Sequence, residues 1–142
     1  MKRINAIAIF AVATLVAAGS AMAQGRAVKA NVPFDFNVGR THVPAGTYTI
    51  STTGSSNIVE LWNDSRKVNI FQPVYADGKQ ASGSKLVFAK YGDQYFLHEI
   101  LCSSSDMNLQ VPTSKAEKSM QRQQASLQNE KNNVYIALNE IR

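Results

Sequence analysis

The chain has 142 residues and a net charge of +5, a length that suits a single domain with one hydrophobic core. Its basic residues are scattered and do not form the basic stripe with interleaved aromatic residues that nucleic-acid binding needs, so we expect no nucleic-acid partner. The single cysteine, Cys102, excludes an intramolecular disulfide, and we expect its thiol to be buried as a small hydrophobic group.

The N-terminus has the three parts of a secretory signal peptide. Lys2 and Arg3 precede an apolar block over residues 6–18, and small residues continue to Ala23. A helix needs about 20 apolar residues to cross a bilayer, so we expect cleavage after Ala23 and no transmembrane segment after processing. We therefore predict a signal peptide over residues 1–23 and a single β-rich domain over residues 24–142. The general secretory route would deliver this domain to the periplasm or the medium.

Apolar and polar residues alternate strictly near the start of the predicted mature chain. Apolar side chains occupy every even position from Val28 to Val38, which predicts one strand with a buried face and a wet face. Pro33 donates no backbone hydrogen bond, so it suits an edge strand or a bulge better than a central strand. Asp35 falls on the wet face, where we expect it to be solvated or locally paired.

The next segments predict a turn and three more short strands. GRTHVPAG indicates a turn in which Gly46 can take a positive φ, and TYTIS follows as a strand with Tyr48 and Ile50 on one face. IVELW and KVNIFQPVY predict two further strands, joined by the turn NDSR.

The clearest hairpin is KLVFAKYGDQYFLHEIL, with a two-residue turn at Gly92–Asp93. Regular pairing away from that turn predicts the partners Tyr91 and Gln94, Lys90 and Tyr95, Phe88 and Leu97, and Leu86 and Glu99. It also predicts one face with Leu86, Phe88, Tyr95, Leu97 and Leu101, and an opposite face with Val87, Ala89, Phe96, His98 and Ile100.

The C-terminal third predicts one helix and a closing strand. Ser114 and Glu117 have the spacing of a capping box, which begins a surface helix over about residues 114–129. We expect a thin apolar stripe of Ala116, Met120 and Leu127, solvated glutamines around residues 121–124, and a strand over about residues 133–141. The whole pattern predicts a mainly β fold, an antiparallel β-sandwich or small β-barrel of about seven strands with one C-terminal surface helix.

Two motifs resemble those of a family of small exported proteins that is abundant in acidobacteria. VPFDFNVGRTHVPAGTYTI is similar to the family pattern VPFxFxVG followed by LPAGxYxV, and KLVFAKYGDQYFLHEI is similar to KLVFxxYGxxYFL. Val43 stands where leucine is usual, and the C-terminal third is richer in glutamine than the pattern. The family has no assigned activity, so the resemblance implies export and a β-rich fold but supplies no catalytic residues.

The sequence shows no evident set of residues for a catalytic or metal site. Paired-carboxylate hydrolysis needs two carboxylates at one bond, and the candidates Asp35, Glu60, Asp93 and Glu99 fall on separate strands or in a turn. We expect the adjacent His98 and Glu99 to leave opposite faces of a strand. His42 is the only other histidine, too few for a histidine-based zinc site, and Ser103, Ser104 and Ser105 lack the setting of a nucleophile. We therefore predict no catalytic, cofactor-binding or metal-ligating residues.

Aromatic residues on a sheet face allow one alternative to core packing. Rings on such a face can hold sugars by stacking and by hydrogen bonds, and here the candidates are Trp62, Tyr48, Tyr75, Tyr91, Tyr95 and Tyr135. They equally suit the core or its rim, because aromatic residues are common in ordinary strands.

Three functional hypotheses follow from these patterns. The first is an exported non-enzymatic β-domain that interacts with an unknown protein or cell-envelope partner. The second is a small binding barrel for a lipid, a sugar or another hydrophobic ligand, which a core filled by Phe34, Phe36, Phe88 and Phe96 would exclude. The third is a hydrolase with an unrecognised carboxylate site.

Overall fold

The computed structural model describes residues 27–52, 57–78, 83–104, 107–127 and 132–141. The predicted signal peptide, residues 1–23, lies outside these ranges. The described residues form a mainly β structure with one helix. In chain order the elements are β1 (Ala27–Val32), β2 (Phe36–Val38), β3 (Thr41–Val43), β4 (Gly46–Thr52), β5 (Ile58–Asn63), β6 (Val68–Pro73), β7 (Tyr75–Ala76), β8 (Lys85–Tyr91), β9 (Gln94–Cys102), β10 (Met107–Gln110), α1 (Lys115–Ser126), β11 (Asn132–Ala137) and β12 (Asn139–Glu140).

The strands form two sheets around a shared core. The first sheet is antiparallel and has the order β12–β1–β4–β5–β6. The second follows the path β11–β8–β9–β10–β7, and the β2–β3 hairpin joins it through a parallel bridge from Asn37 to Phe96 in β9. This architecture confirms the prediction of a sandwich or small barrel with one C-terminal helix. In the described helix, α1, the sequence is neither long nor apolar enough to cross a bilayer.

The chain changes sheet at two places where the sequence predicted continuous strands. β1 ends at Val32 in the first sheet and β2 begins at Phe36 in the second, so the single strand predicted over residues 28–38 is wrong. Its alternation still holds, because the even residues Val28, Ala30, Val32, Phe36 and Val38 are all buried. The predicted closing strand is likewise divided at Leu138, with β11 paired to β8 and β12 paired to β1. Such crossings form the corners of a sandwich.

The GRTHVPAG segment contains a strand as well as a turn. Thr41–Val43 forms β3 and pairs with β2, and Gly39 takes the positive φ of 57° in the turn between them. The prediction of a positive φ at Gly46 is wrong. Gly46 lies in β4, and its missing side chain makes room for Asn63, whose Nδ2 would be 2.6 Å from an added Cβ.

The β8–β9 hairpin has the predicted turn but not the predicted register throughout. Gly92 has a φ of 59°, and the pairs from Tyr91–Gln94 to Phe88–Leu97 are confirmed. The register then shifts between Val87 and Phe88, so that Leu86 pairs with Ile100 and not with Glu99. His98 is the additional residue of this β-bulge. Ile100 therefore packs in the main core with Leu86 and Phe88, contrary to the predicted faces.

Aromatic rings fill the space between the two sheets. Phe36 packs edge-to-face against Tyr48 and Phe88, with ring centroids 5.5 and 5.3 Å apart, and Phe34 packs against Phe88 at 5.2 Å. Phe36, Tyr48 and Phe88 are fully buried, and so is Cys102, as predicted. Phe96 lies instead in a separate cluster with Ala89 and Tyr91, against which Met120 of α1 packs.

Candidate functional sites: an outer sheet face and a buried polar cluster

The outer face of the first sheet carries a partly exposed tryptophan among polar residues. Trp62 of β5 lies opposite Thr49 of β4 and Asn69 of β6, and residues directly opposite in a sheet share a face. Glu60 lies two residues away on the same strand and hence on the same face. We call the surface formed by Ile58, Glu60, Trp62, Asn69 and Phe71 the β5–β6 face.

A surface groove begins at Trp62 and runs toward the end of the sheet. It has a volume of about 390 Å³ and is lined by Glu60, Trp62, Asn63, Asp64, Lys67, Val68 and Asn69. That volume lies within the usual range for small-molecule sites. Carboxylate, amide and ammonium groups thus line the groove together with an indole ring, and this combination allows both hydrogen bonding and stacking.

The turn between β5 and β6 is held by a buried side chain. Asn63 is 5% exposed, and its Oδ1 accepts a hydrogen bond of 3.1 Å from the backbone N–H of Arg66. Lys67, at the end of this turn, has a φ of 53°. The left-handed region is unfavourable for a side chain of this kind, so the turn stores strain where Lys67 lines the groove.

Apolar residues extend the β5–β6 face beyond the groove. Phe71 of β6 pairs with Glu60 and is 59% exposed, and Ile58 is exposed at the start of β5. More than half of the Phe71 surface is in water, and exposed apolar residues mark interaction sites when they form a patch.

A second group of polar side chains lies between α1 and the second sheet. Glu117 of α1 is only 2% exposed, and its carboxylate contacts the Nε2 atom of His98 in β9. Tyr91 donates a hydrogen bond of 3.2 Å to the same carboxylate and accepts one of 2.8 Å from the Gln121 amide. We call Tyr91, His98, Glu117 and Gln121 the polar cluster.

Burial changes the chemistry of the tyrosine in the polar cluster. Removal from water raises the pKa of the Tyr91 phenol above 10.0, because the charged form is disfavoured there. The hydrogen bond from Gln121 lowers this pKa, and the negative charge of Glu117 raises it. Tyr91 therefore stays neutral and acts as a hydrogen-bond donor, which satisfies a carboxylate that has left water.

The capping box at the start of α1 is only half formed. The Ser114 hydroxyl accepts a hydrogen bond of 3.1 Å from the backbone N–H of Glu117, as predicted, but the Glu117 carboxylate turns inward to the polar cluster. The helix residues that are at least partly buried are Glu117, Met120, Gln121 and Gln124. The predicted stripe is therefore wrong at Ala116 and Leu127, which are exposed, and the glutamines at 121 and 124 are not fully solvated.

The carboxylates proposed from sequence do not form one site. Asp35 is exposed and accepts a hydrogen bond of 2.8 Å from the backbone N–H of Ala45, and His42 lies 3.9 Å from its other oxygen. Asp35 thus braces the loop before β4. Glu60 lies on the first sheet, Asp93 in the β8–β9 turn, and Glu99 opposite Val87 in the second sheet.

The bulge in β9 also corrects the expected position of Glu99 relative to His98. Glu99 pairs with Val87, which shares a face with Ala89 and Tyr91, and His98 reaches the helix on that same side. The prediction that His98 and Glu99 leave opposite faces is therefore wrong, because it assumed regular alternation. Sequence reasoning also missed Glu117, since a capping residue is normally solvated and no pattern in α1 revealed which face would dock.

The hydroxyl and metal-site candidates remain dispersed. Ser104 lies 3.2 Å from the Cys102 sulfur, and Ser105 is outside the described residues. Within the ranges that the structure describes, no three histidine, cysteine, aspartate or glutamate side chains come together to hold a metal ion.

The aromatic candidates divide between the core and the surface. Tyr48 and Tyr91 are buried, and Tyr95 stacks on Phe34 with centroids 3.9 Å apart. Tyr75 and Tyr135 are exposed on the second sheet. Trp62 is thus the candidate ring that combines partial exposure, a groove and polar neighbours. Comparison with protein-family models, with curated proteins and with solved structures finds no match to this chain.

Proposed function

We propose that this chain is an exported, non-enzymatic binding module that engages an envelope or extracellular partner through the β5–β6 face. The observation that carries the proposal is the placement of partly exposed Trp62 and strongly exposed Phe71 on one sheet face beside a polar groove. Aromatic anchors with polar surroundings are typical of interaction surfaces. The apolar block before Ala23 supports export.

The filled interior argues against a binding barrel with an internal ligand. Phe88 contacts both Phe34 and Phe36 between the sheets, where a ligand of a small barrel would lie. Phe96, assigned to the same core from sequence, lies under the helix instead. Binding at the outside of the sandwich requires no rearrangement of these rings.

The two outer sheet faces differ in what covers them. Helix α1 packs on the second sheet through Met120 and the polar cluster. The β5–β6 face belongs to the first sheet, and its residues Ile58 and Phe71 are exposed. An exposed face can contact a partner directly, which favours the β5–β6 face as the contact surface. The hydrolase alternative has no assembled carboxylate pair among the described residues, and the His98–Glu117 pair serves to dock the helix.

Two experiments test the proposal. N-terminal sequencing of protein recovered from periplasm or medium should find residue 24 first, and recovery of chains that begin at Met1 would contradict export. Purified protein should sediment with envelope fragments of its own host, and Phe71→Ser or Trp62→Ala should weaken this binding about tenfold, as for hot-spot residues.

A matched variant distinguishes a specific face from general stickiness. Tyr135 on the second sheet is 57% exposed, against 59% for Phe71, so Tyr135→Ser removes a similar exposed ring from the other sheet. It should leave sedimentation unchanged. Equal losses in Tyr135→Ser and Phe71→Ser, or no sedimentation of the unaltered protein, would contradict the proposed binding face.

A further inference from the structure

The groove beside Trp62 combines charges of both signs around one aromatic ring. Glu60 and Asp64 supply carboxylates, Lys67 supplies an ammonium group, and Asn69 supplies an amide, all lining the same 390 Å³ groove as the indole. Each class of hydrogen-bonding group, donor and acceptor, is therefore present at one place.

This mixture of charges disfavours a ligand with a net charge. A cationic group over the indole would gain cation–π attraction and the attraction of Glu60 and Asp64, but it would meet the Lys67 ammonium in the same groove. A phosphate or carboxylate would be drawn to Lys67 and repelled by the two acidic side chains. A neutral ligand with many hydroxyl groups can hydrogen-bond to all of these side chains without such repulsion.

The geometry of the sheet face suits a flat ligand. Trp62 lies between Thr49 and Asn69, so polar side chains and not a hydrophobic cluster flank the indole within the sheet. Its partial exposure leaves apolar ring surface at a groove that is open to solvent. Stacking on that surface would bury the apolar C–H side of a sugar ring, and the polar side chains of the groove would hydrogen-bond to its hydroxyls.

The backbone supports a prearranged site. Lys67 keeps a φ of 53° in a turn that the buried Asn63 holds through the backbone N–H of Arg66, so the backbone of Lys67 is held beside the groove. The residue that supplies the ammonium group therefore holds a less favoured backbone conformation. Preorganisation reduces the entropy cost of ordering a site around a ligand.

We propose that this groove binds a neutral saccharide, with the sugar ring stacked on Trp62 and its hydroxyls hydrogen-bonded to Glu60, Lys67 and Asn69. This inference rests on the proposed function and specifies the chemistry that the β5–β6 face recognises. Phe71, further along the same face, would contact the next unit of an oligosaccharide.

The test uses a reporter that the chain already contains. Trp62 is the single tryptophan of the sequence, so the protein's indole fluorescence reports directly on the groove. Protein purified from its own host is titrated with cellotriose, maltotriose and chitotriose, and with choline chloride as a cationic probe. We expect a saturable fluorescence change with at least one trisaccharide, and none with choline.

Two variants locate the site, and a third is the control. Asn69→Ala and Glu60→Gln, which keep the fluorophore, should raise the dissociation constant about tenfold or more, since each removes a hydrogen bond or its charge. Tyr135→Ser should bind as the unaltered protein does. The saccharide inference is overturned if choline alone saturates the signal, if no trisaccharide changes it, or if Asn69→Ala binds normally.

The envelope assay separates failure of this inference from failure of the proposed function. Sedimentation that depends on Trp62, together with no trisaccharide that changes the indole fluorescence, would overturn the saccharide inference and leave the binding face intact. Absence of any sedimentation would contradict the binding module, whereas the fluorescence titration would still decide whether the groove accepts a sugar.

Discussion

The carboxylate of Glu117 in α1 contacts the imidazole of His98, the residue that bulges from β9. His98 lies on the side of the second sheet that the helix covers, as Phe96 does, and Glu117 is buried there against His98 and the Tyr91 hydroxyl. A buried carboxylate without such partners would be costly, so the position of the helix depends on His98 and Tyr91 of the second sheet.

The His98–Glu117 contact predicts coupled stability effects. We expect His98→Ala and Glu117→Ala each to lower the free energy of unfolding by about 1–3 kcal/mol, because each removes a polar contact that the other side chain makes largely away from water. The double variant should cost less than the sum by at least about 0.5 kcal/mol, since the second change removes the group stranded by the first. Urea denaturation of the four proteins measures this coupling.

An exposed carboxylate serves as the control for the comparison of the His98 and Glu117 variants. Asp93 lies in the β8–β9 turn, and Asp93→Asn should change the free energy of unfolding by less than about 0.5 kcal/mol. Strictly additive losses in the His98 and Glu117 variants would show that the two groups do not stabilise one another.

Two buried phenols predict a loss of stability at alkaline pH. Burial is the largest cause that raises the pKa of Tyr48 and of Tyr91 above 10.0, the value expected in the unfolded chain. Their contribution is therefore present in full below pH 10 and is lost as the pH rises through the raised folded-state pKa. We expect the free energy of unfolding to fall above pH 10, and to fall less steeply in Tyr91→Phe.

Urea denaturation at a series of pH values on both sides of pH 10 measures this slope. Tyr135→Phe alters an exposed tyrosine and should keep the slope of the unaltered protein. An unchanged slope in both Tyr48→Phe and Tyr91→Phe would assign the alkaline loss to other groups.

The sequence predicts which side chains face the core better than it predicts where strands end. From Val28 to Val38 every even residue is apolar. These residues still face the core after the chain passes from the first sheet to the second, because Pro33–Asp35 keeps the alternation of inward and outward side chains. Pro33 signalled a disruption of pairing but not a change of sheet. That change depends on how both sheets pack, which no local pattern records.

The candidate sites were less predictable because they depend on tertiary placement. The sequence marks Trp62 as a candidate ring, but Asp64, Lys67 and Asn69 join it only through the β5–β6 register and turn. One additional residue at His98 reverses the faces of everything after it in β9, and this bulge has no glycine to mark it.

The close approach of Gly46 in β4 to Asn63 predicts that a side chain at position 46 would disturb the turn between β5 and β6. A Cβ at Gly46 would lie 2.6 Å from Nδ2 of Asn63, the buried side chain that holds the Arg66 amide. We expect Gly46→Ala to lower the free energy of unfolding by about 1–3 kcal/mol, as overpacking does. Gly78→Ala, where nothing lies within 4 Å of the added Cβ, should be nearly neutral. Equal effects of the two substitutions would contradict this prediction.

Strain at Lys67 predicts opposite effects on stability and on binding. The left-handed φ of 53° costs a lysine about 1–2 kcal/mol, and glycine avoids this cost while losing about 0.5–1 kcal/mol through its more flexible unfolded state. Lys67→Gly should therefore raise the free energy of unfolding by about 0.5–1 kcal/mol and weaken trisaccharide binding, because the ammonium group is gone. Arg66→Gly changes the same turn at a residue without a positive φ, and it should not stabilise the protein. Urea denaturation and Trp62 fluorescence titration of both variants measure the two effects, and a Lys67→Gly protein that binds normally would show that the strain serves no ligand in this groove.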